Sequence, residues 1–563
     1  MKLKNILYAA LAGTLTLSAT SCSDSFLDEK MYSNYGTDVK DANAKIIGLH
    51  YKFAQLWGIS NPQGFTGCWQ DGTDVGSPGD VEGAEVPFYK YGELTSESSG
   101  VKVLWNGLYG IINSANIIIN DASVEPAQKA EAEFFRAYSY EFLVTLWGAV
   151  PLVTESTTVP RTDYTRTPVE EVDKQIEADL TDAVANLPAV GQTVTEDRIN
   201  KDAARMLTAT SFLRMGLRDK SYFAKAEAVI TPTITEGNYK LISQRYGVFT
   251  GEPGDFYHDM FRWGNERRSQ GNTEGIWTFE NEYNRNVTGG TIDNPQQRRN
   301  WVCAFHKYKG MQNCDSLGGR GNGRLRLSNF VKYQLFEKGD IRNSNFNIRR
   351  VLWYNRPGYQ ETIGIDANGF RVAAGKGVKD IIVKTGDQVV PREGDSLNVY
   401  YPHPTKWGGY DTTDDFGYAL VKDWPIMRFA EAYLLRAEAR MRQGKLQEAA
   451  DDINVLRDRA FKEYREQTGL VNAGKVSANQ MNIDFILDER ARELISEENR
   501  RYTLVRTGTL AERWEKYHDK GSKVPENKLS TGFDPKVHIL LPIPLTEIQL
   551  NKDATIEQNF GYK

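Results

Sequence analysis

Apolar residues recur every three or four positions along several stretches of this chain, the spacing that lines one face of an α-helix. From Val169 the pattern continues through Val172, Ile176, Leu180, Ala183 and Leu187, and it stops at Pro188. The residues that precede it, Thr167-Pro168-Val169-Glu170, have the form of a capping box with proline at the first helical position. After a turn rich in glycine, threonine and aspartate, Asn200 is a good cap for a second helix through Ala203, Leu207, Thr210 and Leu213, ending near Gly216. A third helix is expected over 221–230, where Ala224, Ala226 and Ala228 are small enough for close packing. The clearest pair spans 425–460: one helix over 426–439, a turn at Gln443-Gly444, and a second helix from Leu446 through Ile453 and Leu456.

The Gly444-x-Leu446-x-x-Ala449 step puts alanines where two helices must approach closely, and it resembles a tetratricopeptide unit. Such a hairpin cannot bury its apolar face alone, so neighbours around 167–187, 200–217 and 483–497 are expected to stack on it as a superhelical wall. The fold class is therefore mostly α. Between the helices lie three long segments with little helical pattern: 58–100, 247–330 and 351–424. They carry Trp69, Tyr89 and Tyr91; Trp263, Trp277, Trp301 and Tyr308; and Trp353, Tyr400, Tyr401 and Trp407. Loops of this length in a compact body serve function or are disordered, and their aromatic content argues for order.

The N-terminus differs in kind. Lys2 and Lys4 precede an apolar stretch over 6–17, of signal-peptide length and short of the ~20 residues that cross a bilayer. It ends in Leu17-Ser18-Ala19-Thr20-Ser21-Cys22, which resembles the cleavage box of bacterial lipoproteins, although Ala19 stands where leucine is usual. Residues 1–21 are thus expected to be an export signal and Cys22 the lipidated residue, with acyl chains holding the protein to a membrane. Asp24, Asp28 and Glu29 resemble the surface-export signal of lipoproteins in Bacteroidota. Acidic residues outnumber basic ones by 74 to 69, a net charge of −5, without the basic footprint of a nucleic-acid binder. Cys68, Cys303 and Cys314 remain after Cys22; Cys303 and Cys314 could close a short loop, but isolated thiols are the expectation, and no zinc spacing is present.

Four blocks in order identify a family. The first is Leu104-Trp105-Asn106-Gly107-Leu108-Tyr109 to Asn116, with Glu131 to Tyr140 and Leu146-Trp147-Gly148-Ala149-Val150-Pro151. The second is the helix after Thr167 with its partner. The third is the 425–460 hairpin continuing into Glu489-Arg490-Ala491-Arg492-Glu493-Leu494 and Arg500-Arg501-Tyr502-Thr503-Leu504, and the fourth is Leu541-Pro542-Ile543-Pro544-Leu545-Thr546-Glu547 with Gln558-Asn559-Phe560-Gly561-Tyr562. The chain departs from the usual pattern at Ala149, Asn499, Thr503 and Phe560. Together the blocks resemble the SusD/RagB family of outer-membrane nutrient-binding lipoproteins. The resemblance implies a right-handed superhelix of tetratricopeptide-like hairpins, mainly 38–57, 101–246 and 425–563, with a loop-rich ligand lobe, mainly 58–100 and 247–424. It implies that the mature chain, 22–563, sits in the outer membrane facing the exterior, binds oligosaccharide and delivers it to a SusC-like TonB-dependent transporter, with no catalysis and no cofactor or metal.

A sugar ring offers an apolar C–H face and a rim of hydroxyls, so its site needs an aromatic platform beside carboxylate, amide or guanidinium groups. Trp69-Gln70-Asp71-Gly72-Thr73-Asp74 supplies that combination, with Tyr89 in the same segment. Trp301, Tyr401 and Trp407 could complete the platform, with Asp411 or Asp414 as acceptors. Arg136, Glu131, Glu133, Arg436 and Glu438 are expected to be solvated or paired helix charges, and Trp105, Trp147 and Trp424 to be core. The rival readings are a surface tetratricopeptide adaptor for peptide or protein, and a glycoside hydrolase, which would need two carboxylates ~5–9.5 Å apart. No pair is nominated by the sequence, and the six histidines show no ligand spacing.

Overall fold

The computed structural model describes residues 41–57, 65–157, 159–281, 292–293, 296–409, 419–420, 422–518 and 529–563. The signal segment, Cys22, Asp411 and Asp414 lie outside them. The principal helices are α1 (Ala42–Leu56), α2 (Phe65–Gln70), α3 (Ser99–Ile119), α4 (Pro126–Trp147), α5 (Val169–Asn186), α6 (Lys201–Met215), α7 (Ser221–Thr235), α8 (Phe429–Arg442), α9 (Leu446–Ala460), α10 (Ile483–Leu494), α11 (Arg500–Arg506) and α12 (Leu545–Leu550). They pack as a ladder: α1 on α3, α3 on α4, α4 on α5, α5 on α6, α6 on α7, α7 on α8, and α8 on both α9 and α10. Each hairpin covers the apolar face of the one before it, which is the stacking expected of tetratricopeptide-like units.

Helix α4 lies at the centre of this ladder. Every residue from Ala130 to Trp147 is buried, so its polar side chains must find partners within the protein. Glu131 accepts from Arg198 at 2.6 Å and contacts His50 at 2.7 Å. Arg136 forms a two-pronged pair with Asp179 at 2.7 and 2.8 Å, and donates to Asn116. Glu141 takes Arg214 and the Tyr502 hydroxyl. The helix charges are paired and buried, and Trp105, Trp147 and Trp424 are core as expected.

The principal strands are short: β1 (Gly76–Pro78), β2 (Gly275–Phe279), β3 (Leu325–Leu327), β4 (Gln360–Ile365), β5 (Arg371–Val372), β6 (Lys379–Lys384) and β7 (Trp424–Arg428). β1 pairs antiparallel with β3, β2 with β7, and β4 carries β5 and β6 on its two edges.

Two local expectations are corrected. The helix foreseen from Ile426 begins at Phe429; residues 424–428 are extended and pair with β2, Trp424 opposite Phe279. The box at Thr167 does not cap α5. The helix starts at Val169 with Pro168 in the cap position, while the Thr167 backbone bonds to Val150. Cys303 and Cys314 are both buried and free, as is Cys68, so no disulfide closes the 303–314 loop. The Asn200 cap is present, its side chain accepting from the Asp202 and Ala203 amides at 3.0 and 3.1 Å. Gly444 makes the turn between α8 and α9 with φ +78°.

Candidate functional site

The long segments meet one another. The β1–β3 pairing lays the stretch after Trp69 against 325–327, and the Tyr401 hydroxyl donates to the Leu325 carbonyl at 3.2 Å. Trp301 and Trp407 share a core with Val75, Leu325 and Trp424. The structure therefore brings residues from all three segments together, but at their base and not at their surface.

Trp69 is 3% exposed. Its ring stands edge-on to Trp57 at 4.9 Å and lies against Phe142 at 5.9 Å, in the same core as α3 and α4. Asp74 is fully buried between Arg500, at 2.6 and 2.8 Å, and Arg513, at 2.7 and 2.8 Å. Burial alone would raise its pKa, but the two guanidiniums prevail and hold it down to about 2. Asp71 has no such cation against it; burial and the nearby Glu85 push its carboxyl well above the usual range, against the Gly72 amide that donates to it at 3.0 Å. The Tyr89 ring is buried, and its backbone pairs with Thr531. Trp407 packs edge-on to Trp424 at 5.7 Å and donates its indole N–H to the Ser496 carbonyl. Trp69, Tyr89, Trp301, Tyr401 and Trp407 thus offer no open ring face to a sugar, and Asp71 and Asp74 no open carboxylate. Each aromatic was read as a platform, yet in the fold each fills the interior beneath the loops.

Among the described residues of the lobe the exposed Trp and Tyr rings are Trp263, Tyr333 and Trp353. Trp263 stands in the best-built setting. Its loop is held from within by Arg245, which bonds to Asp259 and to the Phe249 and Gly254 carbonyls. Asn265 locks it further, accepting from the Val248 amide and donating to the Tyr246 carbonyl. A short helix, Phe256–Asp259, pins the loop to the scaffold: Asp255 caps it, and the Tyr257 hydroxyl donates to the Glu493 carbonyl on α10 at 2.6 Å. On this base Trp263 keeps 41% of its surface open. Beside it the Arg262 guanidinium lies 3.5 Å over the Phe249 ring and pairs with Glu252 at 2.6 Å, and Val248 is exposed. A partly exposed indole, a largely buried guanidinium and an exposed carboxylate therefore share one loop, the residue types that sugar recognition asks for.

The sequence carries Trp263 within Phe261-Arg262-Trp263-Gly264, an aromatic flanked by an arginine and a glycine that the structure shows at φ +97°. The buried Trp407 stands in the similar Lys406-Trp407-Gly408, so no local signal in the sequence separates the two. Among the described residues no cluster of His, Cys, Asp and Glu is arranged to hold a metal ion.

A stacked-helix scaffold carrying a loop-rich lobe with an exposed aromatic patch defines a class of ligand-binding proteins, and known proteins place the chain within it. Residues 351–562 match the model described as the SusD family, and residues 25–213 match the one described as starch-binding associating with outer membrane. A SusD-like protein, P25, of Formosa agariphila is 26% identical over the full length of both chains. The starch-binding protein SusD of Bacteroides thetaiotaomicron is 36% identical over 25% of this chain and 22% of its own. A solved SusD homologue from the same organism superposes with a TM-score of 0.66 at 19% identity, covering 94% of this chain and 98% of that one. The chain belongs to the SusD/RagB family, and one of its two matching models is described as starch-binding associating with outer membrane.

Proposed function

We propose that this protein captures oligosaccharide at the outer face of the outer membrane, anchored through lipid on Cys22, and passes it to a SusC-like TonB-dependent transporter without altering it. Family membership carries this reading: models for the SusD family and for outer-membrane starch binding match both ends of the chain. The lobe over 58–100 and 247–424 supplies the ligand surface and the helical ladder supplies its support. Within the lobe, Trp263 is the first sugar platform, because 41% of its surface is exposed and the Arg262–Glu252 pair lies in the same loop. The earlier set from Trp69 to Trp407 forms the packed floor that holds the loops in place.

The test is binding of the purified protein to a panel of oligo- and polysaccharides by affinity electrophoresis and calorimetry. Trp263→Ala is expected to weaken binding by about tenfold or more through lost stacking, with the melting temperature unchanged. Unaltered affinity removes Trp263 from the site. No binding to any glycan together with tight binding to peptides replaces this reading with a peptide adaptor, and release of shortened products makes the protein a hydrolase. Membrane association is tested by Cys22→Ser, which is expected to shift the protein from the membrane to the soluble fraction. The transporter is tested by co-purification from detergent-solubilised outer membranes.

A further inference from the structure

A cavity of about 300 Å³ opens on the helical scaffold, away from the Trp263 loop, where α3, the segment over 151–164 and α12 with the residues after it come together. Three aromatic residues line it: Trp105 and Tyr109 on α3, their rings 4.9 Å apart, and Tyr164 on the crossing segment. Ile112 and Val153 supply apolar floor. The walls are fixed from behind. Tyr109 donates to the Pro151 carbonyl at 2.8 Å, the Thr157 amide donates to Asn113, and Asn551 clasps the Tyr164 backbone through both its amide atoms at 2.8 Å.

Polar groups converge on this aromatic lining. Glu547 of α12 lines the cavity and accepts from the Trp105 indole N–H. Burial raises the pKa of Glu547, which marks a carboxyl turned away from bulk water. Arg161 lies 4.9 Å over the Tyr164 ring at the rim, with its charge already offset by Asp163 at 3.0 Å. Among the described residues the Asn113 amino group and the Tyr164 hydroxyl donate to no other group. The lining therefore combines rings that can meet C–H faces with an amide donor, a phenol and a carboxylate that can meet hydroxyls. The volume is at the lower end of the range for small-ligand pockets, about 300–1,000 Å³.

We propose that this cleft is a second carbohydrate-binding site, taking an uncharged mono- or disaccharide end of the glycan that the lobe engages; it rests on the glycan-capture reading. Uncharged sugar follows from the charges. A uronate or sulfate would meet the Glu547 carboxylate inside, while Arg161 at the rim is already paired with Asp163. The two sites lie on different elements, so one chain would hold one glycan at two points, raising its effective concentration at each.

The test uses saturation-transfer NMR and calorimetry on the full chain with maltose, cellobiose and glucuronic acid as probes, and two substitutions in the cleft. Tyr164→Ala removes a ring. Leu550→Arg, at a rim leucine that is 65% exposed, places a bulky charge over the mouth without touching the core. The neutral disaccharides are expected to bind and glucuronic acid not to; each substitution should weaken disaccharide binding by about tenfold, with melting unchanged for Leu550→Arg. Disaccharide binding that survives Leu550→Arg, or that is absent from the unaltered protein, overturns the second site. Glycan capture by the lobe is read separately, from polysaccharide binding and its loss in Trp263→Ala, so either proposal can fail while the other stands.

Discussion

Two tryptophans of the lobe illustrate how much a residue's role depends on what the fold brings to it. Trp69 and Trp263 each lie in a loop-rich segment with acidic or basic neighbours in sequence. For Trp69 those neighbours are engaged elsewhere: Asp74 belongs to Arg500 and Arg513, more than four hundred positions on, and the ring belongs to Trp57 and Phe142. For Trp263 the neighbours stay within its own loop, Arg262 largely buried over Phe249 and reaching the half-exposed Glu252. Sequence proximity between an aromatic and a carboxylate is a sugar-site signal only if both face solvent, and partners that distant are not visible in a local motif. The two substitutions should therefore separate cleanly. Trp69→Ala empties a buried volume among Trp57, Phe142 and α3 and is expected to lower unfolding stability by about 3–5 kcal/mol. A urea titration followed by circular dichroism measures it. Stability equal to that of the unaltered protein, with glycan binding lost, would return Trp69 to the ligand surface.

At the scale of elements, the helices were legible where apolar spacing ran for three turns or more. The helices α5, α6 and α9 stand where periodicity put them, and the cap at Asn200 stands where capping chemistry put it. The extended run at 424–428 was not legible, because a short apolar run satisfies a helix and a strand alike until its partner is known. Here the partner, β2, is some 150 positions earlier. The same limit hid the candidate site, whose geometry comes from Arg245 and Asn265 folding a loop rather than from any repeat. It also hid the way loops are fastened to helices. Asp74, just before β1, is held by Arg500 on α11 and by Arg513, and this joint has a pH signature. Its folded pKa is depressed, about 2 against an ordinary 3.8, so the stabilisation is present above pH 4 and is lost as pH falls toward 2. The shift corresponds to on the order of 2 kcal/mol. Urea midpoints at pH 5 and pH 2.5 should show it: the fall in stability between them is expected to be smaller in Asp74→Asn by about that amount. An equal fall in both proteins would mean that the joint contributes nothing to acid sensitivity.

For the whole molecule, the question is whether lobe and scaffold are two bodies or one. The interior between them is ionic. Glu493 of α10 is fully buried and meets Arg428 at the end of β7, Arg459 of α9 and Arg342 of the lobe at 3.2, 2.5 and 3.1 Å. Arg428 reaches on to Glu497 and to Glu274 just before β2, and Lys406 of the lobe donates to the Glu493 carbonyl at 2.7 Å. One carboxylate thus answers arginines from a strand, a helix and a lobe segment, and its pKa is driven far below the usual range although burial opposes this. A network whose members come from both parts cannot be kept by either part alone, since separating them would strand buried charges. Unfolding is therefore expected to be a single transition, with tryptophan fluorescence, weighted toward the lobe, and far-ultraviolet dichroism, weighted toward the helices, sharing one midpoint. Glu493→Ala removes the buried carboxylate that Arg342, Arg428 and Arg459 share, leaving them to Glu489, Glu497 and Glu274, and should cost about 3–5 kcal/mol while the two probes remain coincident. Two separate midpoints in the unaltered protein would show that the lobe melts by itself, and that the ionic interior decorates the contact between lobe and ladder without uniting them.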